Sequence, residues 1–176
     1  MRAPEATAML RGHVWKVGDW ISGDDGVLRF SELRNFGDDH DPRELAQRCF
    51  AGLIPDFAAR VTPGDVLVAG RGFGIPSHPP VPVALRAAGI AAVVAESTDS
   101  AFVRRSLNAG LPVVACHGIG ALVDAGEELE VDLVRGRLVN CASGEELAFG
   151  PFAPAMLDVL ACGGLIPYLE QELASA

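Results

Sequence analysis

The chain is 176 residues long, 49% of them apolar, and carries a formal net charge of −9. That length and apolar content suit one domain with a genuine core. The acidic balance excludes a nucleic-acid binder, which needs a basic face, and a protein held on an anionic membrane surface; no apolar run reaches the length of a membrane span.

Residues 1–13 read as a flexible N-terminal arm. "VWKVGDWIS" (14–22) has strand character and ends in the turn-rich "GDDG" (23–26). "DPRELAQRCF" (41–50) opens a helix: Asp41 can cap it, Pro42 suits the first helical position, and Leu45, Cys49 and Phe50 form one apolar stripe. "TPGD" (62–65) is a turn and "VLVAG" (66–70) a short buried strand. "VALRAAG" (83–89) is a helix closed by glycine, "IAAVVAES" (90–97) a strand, "SAFVRRSLNAG" (100–110) a second glycine-ended helix, and "LPVVAC" (111–116) a third strand. This βαβαβ order with short spacers implies a parallel sheet with right-handed crossovers. Residues 127–149 then alternate apolar with polar around a tight "RGR" turn (135–137), which is antiparallel hairpin material. A helix (154–164) and a short amphipathic segment (165–173) close the chain. The fold class is α/β, a short parallel sheet with barrel-like antiparallel hairpins at its flank.

The four cysteines, Cys49, Cys116, Cys141 and Cys162, lie far apart with no CxxC pair. Local spacing therefore builds neither a zinc ribbon nor a cluster ligand set, and no metal is assigned to this chain. With no secretory signal, a chain of this length is expected to be cytoplasmic with reduced thiols.

The informative stretch is "AGRGFGIPSHPPVPVAL" (69–85). It follows a buried strand, so it lies at the carboxyl end of the parallel sheet, where open α/β folds bind ligands. Gly70, Gly72 and Gly74 allow close backbone approach or a positive φ. The prolines at 76, 79, 80 and 82 delay the next helix to about Val83. Ser77 and His78 are the hydrogen-bonding side chains of 74–80, a donor and a proton carrier. A dinucleotide loop is disfavoured: Gly70 and Gly72 fit GxGxxG, but its last position is Ile75. A plain connecting loop remains an alternative on composition alone.

Several segments, in order, resemble the small subunit of 3-isopropylmalate dehydratase, the swivel domain of the aconitase superfamily. "GDWISGD" (18–24) is similar to that family's entry strand G-D-x-I-x-T-D. "DPRELAQRCFAGLIPDFAARVTPGDVLVAGRGFG" (41–74) resembles its helix and the P-G-D-hydrophobic-A-G strand leading to N-F-G. "AAGIAAVVAES", "VRRSLNAGLPVVAC", "GEELEVDLVRGRLVN" and "LACGGLIPYL" match its later β-α-β, hairpin and C-terminal segments. The resemblance implies an aconitase-type swivelling β/β/α domain over 14–176. It also implies a lyase that moves water across a carbon–carbon double bond of a small hydroxy-carboxylic acid, 3-isopropylmalate-like by family default. In that family a separate large subunit carries a [4Fe–4S] cluster, and the small subunit closes over it in a heterodimer or heterotetramer. No cofactor is then bound by this chain itself.

The same resemblance assigns roles. The family loop N-F-G-x-G-S-S-R-E-H is here "GFGIPSHPP" (72–80), one residue short. Ser77 stands at the serine base. Gly74, Ile75, His78, Arg71 and Asp24 are the substrate-binding candidates, Asp24 being the retained aspartate of the family's T-D. Pro79 replaces an arginine that would grip a substrate carboxylate, and Ser100 replaces a second arginine. One charge-assisted arginine–carboxylate contact is worth roughly 1.5–3 kcal/mol, so its loss weakens a malate-type acid about tenfold to a hundredfold. Arg71 or Arg104 could take over. Two further readings stay open: a catalytically silent swivel domain that stabilises or regulates a large subunit, and a free-standing small-molecule binder.

Overall fold

The computed structural model describes residues 8–34 and 40–175. Its sheet is spliced at one strand. The carboxyl half of β1 (Met9–Val17) pairs parallel with β2 (Val66–Ala69), Val14 opposite Val66. Its amino half pairs antiparallel with β5 (Glu128–Asp132), Met9 opposite Asp132. β3 (Ala92–Ala95) and β4 (Val113–Ala115) extend the parallel side; β6 (Arg137–Asn140) and β7 (Glu146–Ala148) extend the antiparallel side. The strand order is β4-β3-β2-β1-β5-β6-β7.

The central parallel strands β2 and β3 are short, apolar and buried on both faces, as crossover folds require. Leu67, Ala69, Val93, Ala95 and Val113 point into one core. It is closed by α1 (Pro42–Arg48), α2 (Phe57–Arg60), α3 (Pro80–Ala88) and α4 (Ser100–Asn108), through Leu45, Phe57, Leu85 and Phe102. The alternate residues, Val66, Val68, Ala92, Val94 and Val114, point into a second core with Leu129, Val131 and Leu138 of the hairpin. That core is finished by α5 (Ile119–Leu122) and α6 (Pro154–Ala161). A last helix, α7 (Leu165–Ala174), follows. The period-two alternation along each strand thus divides one sheet between two cores.

Three expectations need correction. The entry strand runs over Met9–Val17 rather than 14–22. Beyond Val17 the backbone is claimed by the end of β2: Gly70 N–H donates to the Gly18 carbonyl (3.1 Å) and Arg71 N–H to Oδ1 of Asp19 (2.8 Å). The chain then turns at Trp20, whose φ is +58°. The arm expected over 1–13 accordingly loses Met9–His13 to β1, because β5 offers those residues an antiparallel edge; residues 1–7 lie outside the described residues. Finally, α3 starts at Pro80, not Val83. Proline is harmless in a first turn, whose N–H groups have no helical acceptor anyway. The helix after Asp41 stops at Arg48, and the short α2 and α5 carry too little periodicity to be read from sequence.

Asp132 fixes the turn that links β5 to β6. Its buried carboxylate accepts from the N–H groups of Val134 (3.1 Å) and Arg135 (2.8 Å) and from Nη1 of Arg135 (3.0 Å). Burial pushes this carboxyl up, but the Arg135 amide and guanidinium and the Val134 amide outweigh it and hold it below the usual range. A carboxyl depressed in the folded state stabilises the fold above its unfolded pKa of about 3.9, and that contribution is lost as pH falls through the folded value. Asp132→Asn should therefore cost about 1–3 kcal/mol near neutral pH. Urea unfolding should show its gap to wild type narrowing steadily in acid.

Candidate active site

The loop that leaves β2 is braced by the segment that leaves β3. Gly72 N–H donates to Oγ of Ser97 (3.0 Å), and Phe73 N–H to the Ser97 carbonyl (3.1 Å). Oγ1 of Thr98 donates to the Phe73 carbonyl (2.8 Å). Asp99 caps α4 by accepting from Phe102 N–H (2.6 Å), and Phe102 packs edge-on against Phe73 with ring centroids 5.6 Å apart. Gly74 lies on that Phe102 ring with φ +76°; a Cβ there would stand 2.9 Å from the ring. One side of the loop is thus pinned before Ser77 is reached.

The other side is held by the turn after β1. Ile75–Pro76 is a cis bond, and the Pro76 carbonyl accepts from Gly23 N–H (2.9 Å). Gly23–Val27 forms one wide helical turn, capped by Oγ of Ser22, which accepts from Asp24 N–H (3.1 Å). Gly23 must lack a side chain, because a Cβ would come within 2.6 Å of the Ser77 Cβ. The turn is pressed against Ser77 and sets Asp24 beside His78: Oδ2 of Asp24 lies 2.8 Å from Nδ1 of His78. The Phe30 ring lies 4.9 Å from the His78 ring.

Asp24, 54 residues before His78 in sequence, therefore meets the Ser77–His78 pair, with Gly74 and Ile75 alongside. The serine hydroxyl does not open onto the surface. Ser77 is 7% exposed, and its Oγ is buried without a hydrogen-bond partner; Oδ1 of Asp24 is in the same state. Ile75 and His78 form the accessible rim, with the Ile75 residue and the His78 side chain each about two-fifths exposed.

Arg71 does not join this group. Its Nη2 and Nε lie 2.8 and 3.1 Å from Oδ2 of Asp19, at the surface. The Arg71 amide and guanidinium hold the Asp19 carboxyl below the usual range. Arg104 is exposed on α4. A depression of about 400 Å³ at the same sheet edge is lined by Lys16, Asp19, Arg71, Glu96 and His117; Ser77 is not part of its wall. Glu96 organises it, accepting from the N–H groups of Gly118 and Gly120 (both 2.9 Å), with Nδ1 of His117 at 3.1 Å. Burial pushes the Glu96 carboxyl up, and those amides with His117 bring it net below its ordinary value. Sequence reasoning missed Asp19 and the bracing role of Ser97 and Thr98. A polar pair directly after a buried strand, facing a glycine loop, is the signal that could have found the brace.

The four cysteines are free, and burial pushes the thiols of Cys49 and Cys116 up, away from ready ionisation. Among the described residues no group of three or more His, Cys, Asp or Glu side chains could hold a metal ion, so they do not fit an iron–sulfur cluster. No helix among them is long and apolar enough to cross a membrane.

No family model matches the chain. Known relatives do. The 3-isopropylmalate dehydratase structure from Methanocaldococcus jannaschii superposes with a TM-score of 0.83 at 30% identity, over 94% of this chain and 96% of that one. The isopropylmalate/citramalate isomerase small subunit of the same organism is 38% identical over 170 residues, covering 96% of this chain and 98% of that one. The methanogen homoaconitase small subunit of Methanothermobacter thermautotrophicus is 40% identical over 161 residues, covering 90% and 89%. A partly parallel, partly antiparallel curled sheet with this layering is an aconitase-type swivel domain. Within that class, the chain belongs to the family of 3-isopropylmalate dehydratase small subunits.

The packing of Gly74 gives a direct test of the brace. Gly74→Ala combines a left-handed backbone with a clash on Phe102, and thermal unfolding should show a loss of about 2–4 kcal/mol. Gly150→Ala, where nothing lies within 4 Å of an added Cβ, should melt within about 1 °C of wild type.

Proposed function

We propose that this chain is the small subunit of an aconitase-type hydro-lyase, and that Ser77 is its base. It acts in the cytoplasm, together with a large subunit that carries the [4Fe–4S] cluster, on a small hydroxy-carboxylic acid of the 3-isopropylmalate kind. Residues 14–176, with β1 extended back to Met9, work as one swivel domain. When bound in the partner, the cluster supplies Lewis acidity toward the substrate's oxygens. This chain's own part is to cover the acid, exclude water and hold a proton at Oγ of Ser77.

The observation that carries the reading is the unpartnered Ser77 hydroxyl. A buried hydroxyl without a partner costs about 1–3 kcal/mol. Here the cost is borne at the end of the parallel strands, inside a loop pinned on both sides. His78 stands next to it on the rim, its Nδ1 against Asp24 and its half-exposed ring on the side a substrate would approach. Ile75 brings main chain to the rim, and Arg71, held by Asp19 at the surface, is the cation that could turn to a carboxylate once the partner closes.

A second reading, a catalytically silent swivel domain, is favoured by one feature: Pro79 occupies the arginine position, and Arg71 is already engaged by Asp19. Co-expression with an aconitase-type large subunit separates the two. Ser77→Ala should lower kcat on 3-isopropylmalate by about 10²–10⁴-fold, the usual worth of a positioned base. Turnover at the wild-type rate after residues 75–80 are replaced by a glycine–serine linker would establish the silent reading instead.

A further inference from the structure

We propose that Asp24 is the positioning residue of Ser77: its carboxylate takes the serine hydroxyl proton and is itself held in place by His78. The inference rests on the reading of Ser77 as the base. It moves Asp24 away from the substrate, where the family resemblance sets it, and into the support of the serine.

Three observations carry it. First, the Asp24 carboxylate is half committed. Oδ2 faces Nδ1 of His78 at 2.8 Å, whereas Oδ1 is buried without a hydrogen-bond partner. An ionised oxygen withdrawn from water without a donor is costly. Second, Oγ of Ser77 is also buried and unpartnered. A hydroxyl is a donor and a carboxylate oxygen an acceptor, so each orphan is what the other lacks. Third, the two segments are pressed together. Gly23, the residue before Asp24, would place a Cβ 2.6 Å from the Ser77 Cβ, and His78, the residue after Ser77, is the one paired with Asp24. In the proposed arrangement Oγ of Ser77 donates to Oδ1 of Asp24, directly or through one bridging water.

The chemistry follows from the pairing. A serine hydroxyl is a weak base at its free pKa and needs a neighbouring acceptor. With Oδ1 as that acceptor, the proton leaving the substrate carbon arrives at Oγ while the hydroxyl proton passes to Asp24. The C–H electron pair becomes the second carbon–carbon bond, the C–O bond breaks and its pair leaves with the oxygen as hydroxide, and Asp24 ends protonated; hydration adds hydroxide back and returns both protons along the same path. His78, with its proton on Nδ1, keeps the carboxylate aimed at the serine. The logic is that of a serine–base–orienter chain, with aspartate as the middle member and histidine as the outer one.

The test uses the assembled two-subunit enzyme turning over 3-isopropylmalate. Asp24→Asn should lower kcat by about 10²–10³-fold with KM changed by less than about threefold, and Asp24→Glu should recover part of the loss. The double variant Asp24→Asn/Ser77→Ala should be no slower than Ser77→Ala alone, because both act through one proton. A raised KM at unchanged kcat for Asp24→Asn would put the carboxylate on the substrate and overturn the proposal. So would a double variant whose loss is the product of the two single losses. Wild-type turnover by Ser77→Ala is a separate failure: it removes the base itself, and the role of Asp24 with it. If Asp24→Asn does not assemble with the large subunit, Asp24→Glu carries the same decision through its own split between kcat and KM.

Discussion

The fold depends on one strand that pairs in two senses. β1 is bonded parallel to β2 along its carboxyl half and antiparallel to β5 along its amino half. Without it, the crossover half and the hairpin half would be separate small sheets, each with an open edge and half a core. The splice falls beside Gly12, where an added Cβ would run into the Gly64 carbonyl. Close approach at this point lets the backbone hand over from one partner to the other within a few residues. Because the parallel half is in register with β2, the chain leaving β1 and the loop leaving β2 emerge at the same sheet edge, and this brings residue 24 to residue 78.

The site is an assembly of two backbones more than of side chains. Ser97 and Thr98 grip the loop from the β3 side, and the Pro76 carbonyl is gripped by Gly23 from the β1 side. Local stiffness of this kind fixes a hydroxyl within the narrow tolerance that proton transfer requires. Burial of the site also strengthens every electrostatic contact inside it, since the surrounding protein screens charge less than water does.

The parts of the fold legible in the sequence are those whose signals are local. The β2, β3 and β4 strands are legible because short buried runs of valine and alanine sit between turn residues, α1 because Asp41 and Pro42 open it, and α4 because Gly110 ends it. Met9–His13 were not readable as strand, because the edge that makes them one comes from residues 128–132. The start of α3 is hidden by its prolines, which argue against helix in general although the penalty vanishes in a first turn. At the site, the identity of Ser77, His78 and Asp24 could be extracted from a motif. The pairing of Asp24 with His78, the engagement of Arg71 by Asp19, and the burial of the serine are products of packing between segments that no local window contains.

The prolines have one more effect. A helix beginning next to a ligand site ordinarily points a crown of amide hydrogens at it, which suits carboxylate and phosphate groups. α3 begins beside His78, yet its cap and its first and third positions are Pro79, Pro80 and Pro82, which have no amide hydrogen to give. The Val81 amide between them is consumed by the His78 carbonyl at 3.1 Å. This end of the helix is therefore electrostatically blunt, and negative charge on an acid resting there must be balanced by cations reaching in from elsewhere.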